Sequence, residues 1–167
     1  MIGLKQLGPH RAHPVPDIGF HETMSGWGAG ADQCLVHNGS LSNHNNLRRE
    51  LIREGMSFET QNDSEVAAAY LTAEMAKGKD LGEALTGALD DLDGFFTFVV
   101  GTKDGFGVVR DPIACKPAVM AETDQYVAFG SEYRALVNLP GITHRVIQML
   151  LASARLILTK VSIDQHR

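Results

Sequence analysis

Asn38-Gly39 sets a side-chain amide beside a backbone N–H that no Cβ shields. Two such donors aimed at one small space could polarise a carbonyl and hold the oxyanion formed when it is attacked. The same dipeptide is a strong hairpin signal, and taken alone it reads as a turn that breaks the strand before it. Asp63, within Gln61-Asn62-Asp63-Ser64-Glu65-Val66, is the second candidate. A carboxylate at a helix start is stabilised by the dipole there, and it could cap the helix or meet the ammonium of a small ligand. By itself it reads as a cap. The thiols, Cys34 and Cys115, stand in separate apolar contexts and read as buried structural cysteines, not a disulfide. Cys34 and His37 lie three apart on a strand, hence on opposite faces, so they form no dyad. His10, His13 and His21-Glu22 match no metal-site spacing, and no helical period presents them on one face. They read as solvated loop histidines; neither metal nor cofactor is expected.

The elements that must position these groups follow from periodicity. Cys34-Leu35-Val36-His37 is short, apolar and β-prone, a buried strand. Leu47, Leu51 and Ile52 mark the apolar side of a helix capped by Ser42 or Asn43, with Arg48, Arg49 and Arg53 on a solvated face and Gly55 as its stop. Phe58-Glu59-Thr60 reads as a short extended piece. Asn62 and Glu65 have capping-box spacing before a helix running to about Lys77, and Asp80 and Glu83 repeat it before Leu81, Ala84, Leu85, Ala88, Leu89 and Leu92. From Gly94 the period drops to two. Phe95–Val100 and Phe106–Arg110 form one hairpin around Lys103-Asp104; residues 118–121 and 126–129 form another; a short helix runs through Leu136. Helices followed by antiparallel hairpins indicate an α+β chain with helices layered on sheets. Ile147, Leu150, Leu151, Ala154 and Leu158 place one helix over residues 142–167.

The 167 residues suit one domain, and 44% hydrophobic with 21% charged residues is ordinary for a soluble chain. A net charge of -5 gives no basic face for phosphate, which argues against nucleic acid. The start lacks a signal-peptide apolar core, and the apolar run near Val146 contains Arg155 and is too short to span a bilayer. No membrane and a cytoplasmic location are expected.

Taken in order, His37-Asn38-Gly39, Leu47-Arg48-Arg49-Glu50-Leu51, Gly55-Met56-Ser57-Phe58, Asn62-Asp63-Ser64-Glu65, Leu92-Asp93-Gly94-Phe95, Arg110-Asp111-Pro112 and Ser131-Glu132 resemble the class II glutamine amidotransferases, the N-terminal-nucleophile (Ntn) glutaminase domains. The resemblance covers about residues 34–141. The wording from Leu35 to Asn43 is most similar to the glutaminase-type subunits of glutamate synthase and N-methylglutamate synthase. It implies an Ntn-hydrolase-like α-β-β-α sandwich with antiparallel sheets. It divides the chain into a divergent segment (1–30), a glutamine amidotransferase type 2-like domain (31–141) and a divergent C-terminal helix (142–167).

The resemblance further implies a reaction. In that family an N-terminal cysteine, with its own α-amino group as base, attacks the carboxamide of glutamine, and the ammonia released serves a synthase partner. Position by position, Asn38 and Gly39 match the oxyanion hole, while His37 and Asp63 match substrate-binding positions, Asp63 taking the α-ammonium. Two features depart from the pattern. Position 2 is Ile2 and no cysteine precedes Cys34; Arg11-Ala12-His13-Pro14 does not match the motif that holds the α-carboxylate, so that role is not transferred. The expectation is a chain truncated at its N-terminus that does not hydrolyse glutamine, leaving an edge of one sheet open unless residues 1–30 or the tail cover it. The alternatives are a non-catalytic glutamine- or glutamate-binding module or partner subunit, and a gene fragment.

Overall fold

The computed structural model describes residues 2–6, 33–102, 105–142 and 147–149. Two antiparallel sheets form its centre. One has the order β1 (Ile2–Gln6), β6 (Tyr126–Gly130), β5 (Val119–Glu122), β7 (Ile147–Met149). The other has the order β2 (Gln33–Leu41), β3 (Gly94–Thr102), β4 (Gly105–Arg110). Helices α1 (His44–Arg53), α2 (Asp63–Ala76) and α3 (Leu81–Asp91) join β2 to β3, and the short α4 (Tyr133–Leu136) follows β6.

Alternation along the strands sorts the core into three layers of apolar contact. Phe96, Phe98 and Val100 of β3 face α1, α2 and α3, meeting Leu47, Val66, Leu71 and Leu85. The intervening Val99, with Phe106 and Val108 of β4, faces the other sheet and meets Met120, Val127 and Phe129. On the far side of that sheet Val119, Ala121 and Ala128 pack with Leu136 of α4. The result is the four-layer α-β-β-α order that the resemblance implies. The capping box of α3 forms as its spacing indicates: the Glu83 N–H donates to Asp80 (2.8 Å) and the Asp80 N–H to Glu83 (2.9 Å).

Three expectations need correction. Asn38-Gly39 neither turns nor breaks the strand: β2 runs through it in unbroken register, Asn38 opposite Thr97 and Gly39 opposite Phe96. The long pairing with β3 outweighs the local turn preference. Residues 147–149 are a strand paired with β5, where the sequence pattern indicated a continuous helix. A partner distant in sequence supplies what local periodicity cannot register. Together β1 and β7 flank the β5–β6 pair, so residues from the first thirty and from the tail provide the edge cover that the sequence reading allowed for. The third is Phe58-Glu59-Thr60, which belongs to no strand. His10, Arg11, His13, His21 and the Lys103-Asp104 turn lie outside the described residues, as does the tail beyond Met149.

Gly39 is required by the strand that β2 lies against. Its φ is +152°, and a Cβ there would stand 2.0 Å from the Phe95 carbonyl oxygen and 2.7 Å from the Phe96 Cα. Backbone cannot give way as a flexible side chain can. Gly39→Ala is therefore expected to destabilise the fold by about 3 kcal/mol through overpacking and strain. Chemical unfolding midpoints measure it; a shift worth less than about 0.5 kcal/mol, the usual size at an unconstrained surface site, would contradict the constraint.

Candidate functional site

The site forms where the start of α2 meets the edge of β2. Asn62 takes the N-cap, its side chain accepting from the Ser64 N–H (2.9 Å). That leaves Asp63, the first helical residue, free to reach across. Its Oδ2 accepts the Leu41 N–H at 2.9 Å, and its Oδ1 lies 3.6 Å from His37 Nδ1. Ser64 Oγ lies 2.9 Å from the same ring nitrogen. Both partners meet Nδ1, so His37, Ser64 and Asp63 are not arranged as a nucleophilic triad, in which the serine and carboxylate take different nitrogens. Glu65 does not close the expected capping box. It reaches back to the Glu59 and Thr60 N–H groups (2.7 and 2.9 Å) and the Thr60 hydroxyl (2.6 Å).

Strand alternation decides where each predicted residue points. The Ser42 N–H donates to the Asp93 carbonyl at the β3 end, and the Leu41 N–H points the other way, to Asp63. Along an antiparallel ladder this direction repeats every second residue. The Gly39 N–H therefore leaves the same outer edge of β2 as the Leu41 N–H. The His37 ring lies on the helix-facing side, edge-on to Phe98 at 5.0 Å. Asn38 stands on the opposite face, across from Thr97. The structure thus brings His37, Asp63 and the Gly39 edge together directly, and sets the Asn38 side chain on the inter-sheet side of the same edge strand.

Burial shapes the electrostatics. The His37 side chain is 2% exposed and its Nε2 has no hydrogen-bond partner among the described residues. Burial lowers the pKa of the ring from 6.5; Asp63 opposes that shift and Lys116 adds to it. Lys116 lies over the Phe95 ring, 5.5 Å from its centroid. Burial works to raise the Glu65 pKa, but the bonds from Thr60 and Glu59 and the nearby Arg48 outweigh it, and the carboxyl titrates below its usual range.

Sequence reasoning missed Arg48, assigned above to a solvated face. It is 7% exposed, donates to the carbonyls of Thr60 (2.6 Å) and Asn62 (3.0 Å), and lies over the Phe58 ring at 4.6 Å. With Glu65 taking the N–H groups and Arg48 the carbonyls, the loop that delivers Asp63 is held from both sides. The signal was present: residues 47, 48 and 51 share one helical face, whereas Ile52 lies outside it and is exposed. The cysteines also differ from expectation. Cys115 is exposed and Cys34 is half-buried. Cys34 packs over Gly101, its ladder partner, on the face away from His37. Among the described residues no cluster of three or more His, Cys, Asp or Glu side chains is placed to hold a metal ion, and no helix is long and apolar enough to cross a membrane.

A family model described as a glutamine amidotransferase domain matches residues 21–138. The chain is 90% identical over 128 residues to the glutamine amidotransferase-like protein GlxB of Rhizobium meliloti, covering 77% of this chain and 41% of that protein. It is 42% identical over 124 residues to a putative glutamine amidotransferase of Methanothermobacter thermautotrophicus, covering 74% of this chain and 36% of that protein. The chain thus spans well under half the length of these relatives. Among solved structures, the glutamine phosphoribosylpyrophosphate amidotransferase of B. subtilis superposes with a TM-score of 0.60 at 22% identity, over 80% of this chain and 31% of that one.

The geometry yields two expectations. Arg48→Met leaves two carbonyls and the buried Glu65 without their cation, and should cost about 3 kcal/mol of stability by chemical denaturation; a neutral result would mean that the loop holds itself. For His37 the sign is fixed by its lowered pKa. Below about pH 6.5 the unfolded chain takes up a proton that the folded ring resists. The contribution is complete above that pH and is lost as pH falls toward the lower folded value. Unfolding free energy should therefore drop more steeply between pH 7.5 and pH 5 for the parent chain than for His37→Gln, and parallel profiles would contradict it.

Proposed function

The chain belongs to the glutamine amidotransferase domain family, class II, with the Ntn-hydrolase-like α+β fold, and we propose that its edge-strand site binds glutamine. In this reading Asp63 takes the α-ammonium of the amino acid. The Asn38 amide and the Gly39 N–H meet the carboxamide oxygen and would hold an oxyanion there. His37, neutral and fixed on Asp63 and Ser64, lines the substrate side. The observation that carries the reading is the bond from the Leu41 N–H to Asp63. It fastens a helix-start carboxylate beside the strand edge from which the Gly39 N–H emerges.

The hydrolytic step needs a thiol and an α-amino group on the same residue. Neither cysteine of this sequence offers that: Cys34 is within β2 and Cys115 within a loop. The 167-residue polypeptide is therefore proposed to bind glutamine without releasing ammonia. Its relatives carry the name amidotransferase, and ammonia made by such a domain is proposed to pass to a synthase domain or subunit. The Leu35–Asn43 wording favours a partner of the glutamate synthase type.

Calorimetry with glutamine, alongside an ammonia assay, tests both parts. Glutamine should bind without turnover, and Asp63→Asn should weaken binding at least tenfold, the size of a lost charge-assisted contact of about 1.5–3 kcal/mol. Unchanged affinity in the variant would remove Asp63 from the site. Sustained ammonia release would overturn the inactivity, and a broad, non-cooperative melt would favour a gene fragment.

A further inference from the structure

The two oxygens of Asp63 do different work. Oδ2 accepts the Leu41 N–H at 2.9 Å and is committed to the strand edge. Oδ1 accepts no hydrogen bond among the described residues, and the group that faces it is His37 Nδ1 at 3.6 Å. The Asp63 side chain is 21% exposed, whereas the ring beside it is 2% exposed. A ligand arriving from solvent can therefore reach Oδ1, and it meets there the oxygen that the buried ring also faces.

The ring treats Oδ1 differently in its two protonation states. A neutral imidazole carries one N–H and a charged one carries two. Nδ1 lies 2.9 Å from Ser64 Oγ, so that hydroxyl serves a neutral ring and the Asp63 charge stays available. A proton added to the ring sets a positive charge beside Oδ1, where opposite charges couple far more strongly than in bulk water. The charged groups acting on the ring come from two elements: Asp63 of α2 favours the added proton, and Lys116, between β4 and β5, opposes it. β3 presents Phe98, uncharged and edge-on. The second N–H of a charged ring would be buried at Nε2, which has no partner among the described residues. Burial thus keeps the ring neutral at neutral pH, and a fall in pH charges it.

We propose that His37 gates the site: glutamine binds only while the ring is neutral, because a proton on the ring claims the Asp63 oxygen that the ligand's α-ammonium needs. This rests on the glutamine reading of the site. Two cations cannot share Oδ1 at full strength, and each repels the other across it. Proton and ligand therefore compete, and the coupling is reciprocal: acid weakens glutamine binding, and bound glutamine makes the ring harder to protonate. His37 acts here through Asp63, as a positioning residue whose charge decides whether the carboxylate is available.

The test is calorimetry with glutamine from about pH 7.5 down to about pH 5, on the full chain and on His37→Gln, with an NMR titration of the assigned His37 ring in the free and glutamine-saturated parent. The ammonium of free glutamine keeps its charge throughout, so the ligand adds no titration of its own. Parent affinity should be level above the folded pKa of the ring and fall about twofold or more by the lower limit. His37→Gln, which takes up no proton, should stay level. In the parent, saturating glutamine should lower the ring pKa by about one unit, equivalent to a tenfold preference for the neutral ring. A ring pKa that glutamine leaves unchanged, or a His37→Gln profile as steep as the parent's, overturns the competition and leaves the site reading standing. Absence of glutamine binding by the parent at the upper limit overturns the site reading, and the competition with it. The NMR titration uses the parent alone, so it decides the matter even if His37→Gln fails to fold.

Discussion

The bond between the Leu41 N–H and the Asp63 carboxylate is the constraint on which the site depends. It joins two elements with different reasons to exist. β2 is held by a long ladder with β3, and α2 by an apolar face buried against it. Neither ladder nor helix fixes the distance between the helix start and the strand edge. One backbone donor left over at an edge and one carboxylate left over at a helix start do. That division of labour requires Asn62 to cap the helix. Had Asp63 been the cap, its oxygens would have turned inward to the first-turn N–H groups and the strand edge would have lost its partner.

The loop before α2 carries the rest of the burden. Residues 59–62 form no regular structure, so their backbone groups must find partners one by one. Glu65 takes donors and Arg48 takes acceptors, so opposite charges on two helices close over successive peptide groups of one loop, their contacts meeting at Thr60. Their heads are 4.0 Å apart, so direct pairing is the lesser part of the arrangement; the peptide groups between them are the greater part. A loop held this way can carry a functional carboxylate without drifting.

What the sequence made legible was local. The α3 capping box depends on residues three apart, and both hairpins depend on alternating runs joined by short turns; each formed as read. The fold layers, and the assignment of His37 and Asp63 to one substrate side, came only through the family resemblance that the motifs carry. The failures share one cause, a partner far along the chain. Asn38-Gly39 has the chemistry of a turn, yet pairing with Thr97 and Phe96 keeps it extended. Residues 147–149 have helical spacing, yet β5 offers a ladder. Arg48 has the charge of a surface residue, yet the carbonyls of Thr60 and Asn62 await it twelve and fourteen residues on.

Two buried atoms lack the pairing that burial normally demands. His37 Nε2 and Thr97 Oγ1 lie on opposite faces of the same sheet, each without a hydrogen-bond partner among the described residues. They differ in what surrounds them. The His37 ring is fixed through its other nitrogen and stands edge-on to Phe98, so its bare nitrogen follows from holding a neutral ring in an apolar wall. Thr97 has no second polar atom to anchor it, and valine would pack in its place. Its hydroxyl thus carries the cost of burial without a compensating bond among the described residues. The face that carries it also carries its ladder partner Asn38, on the inter-sheet side of the β2 edge, whereas His37 stands on the helix side.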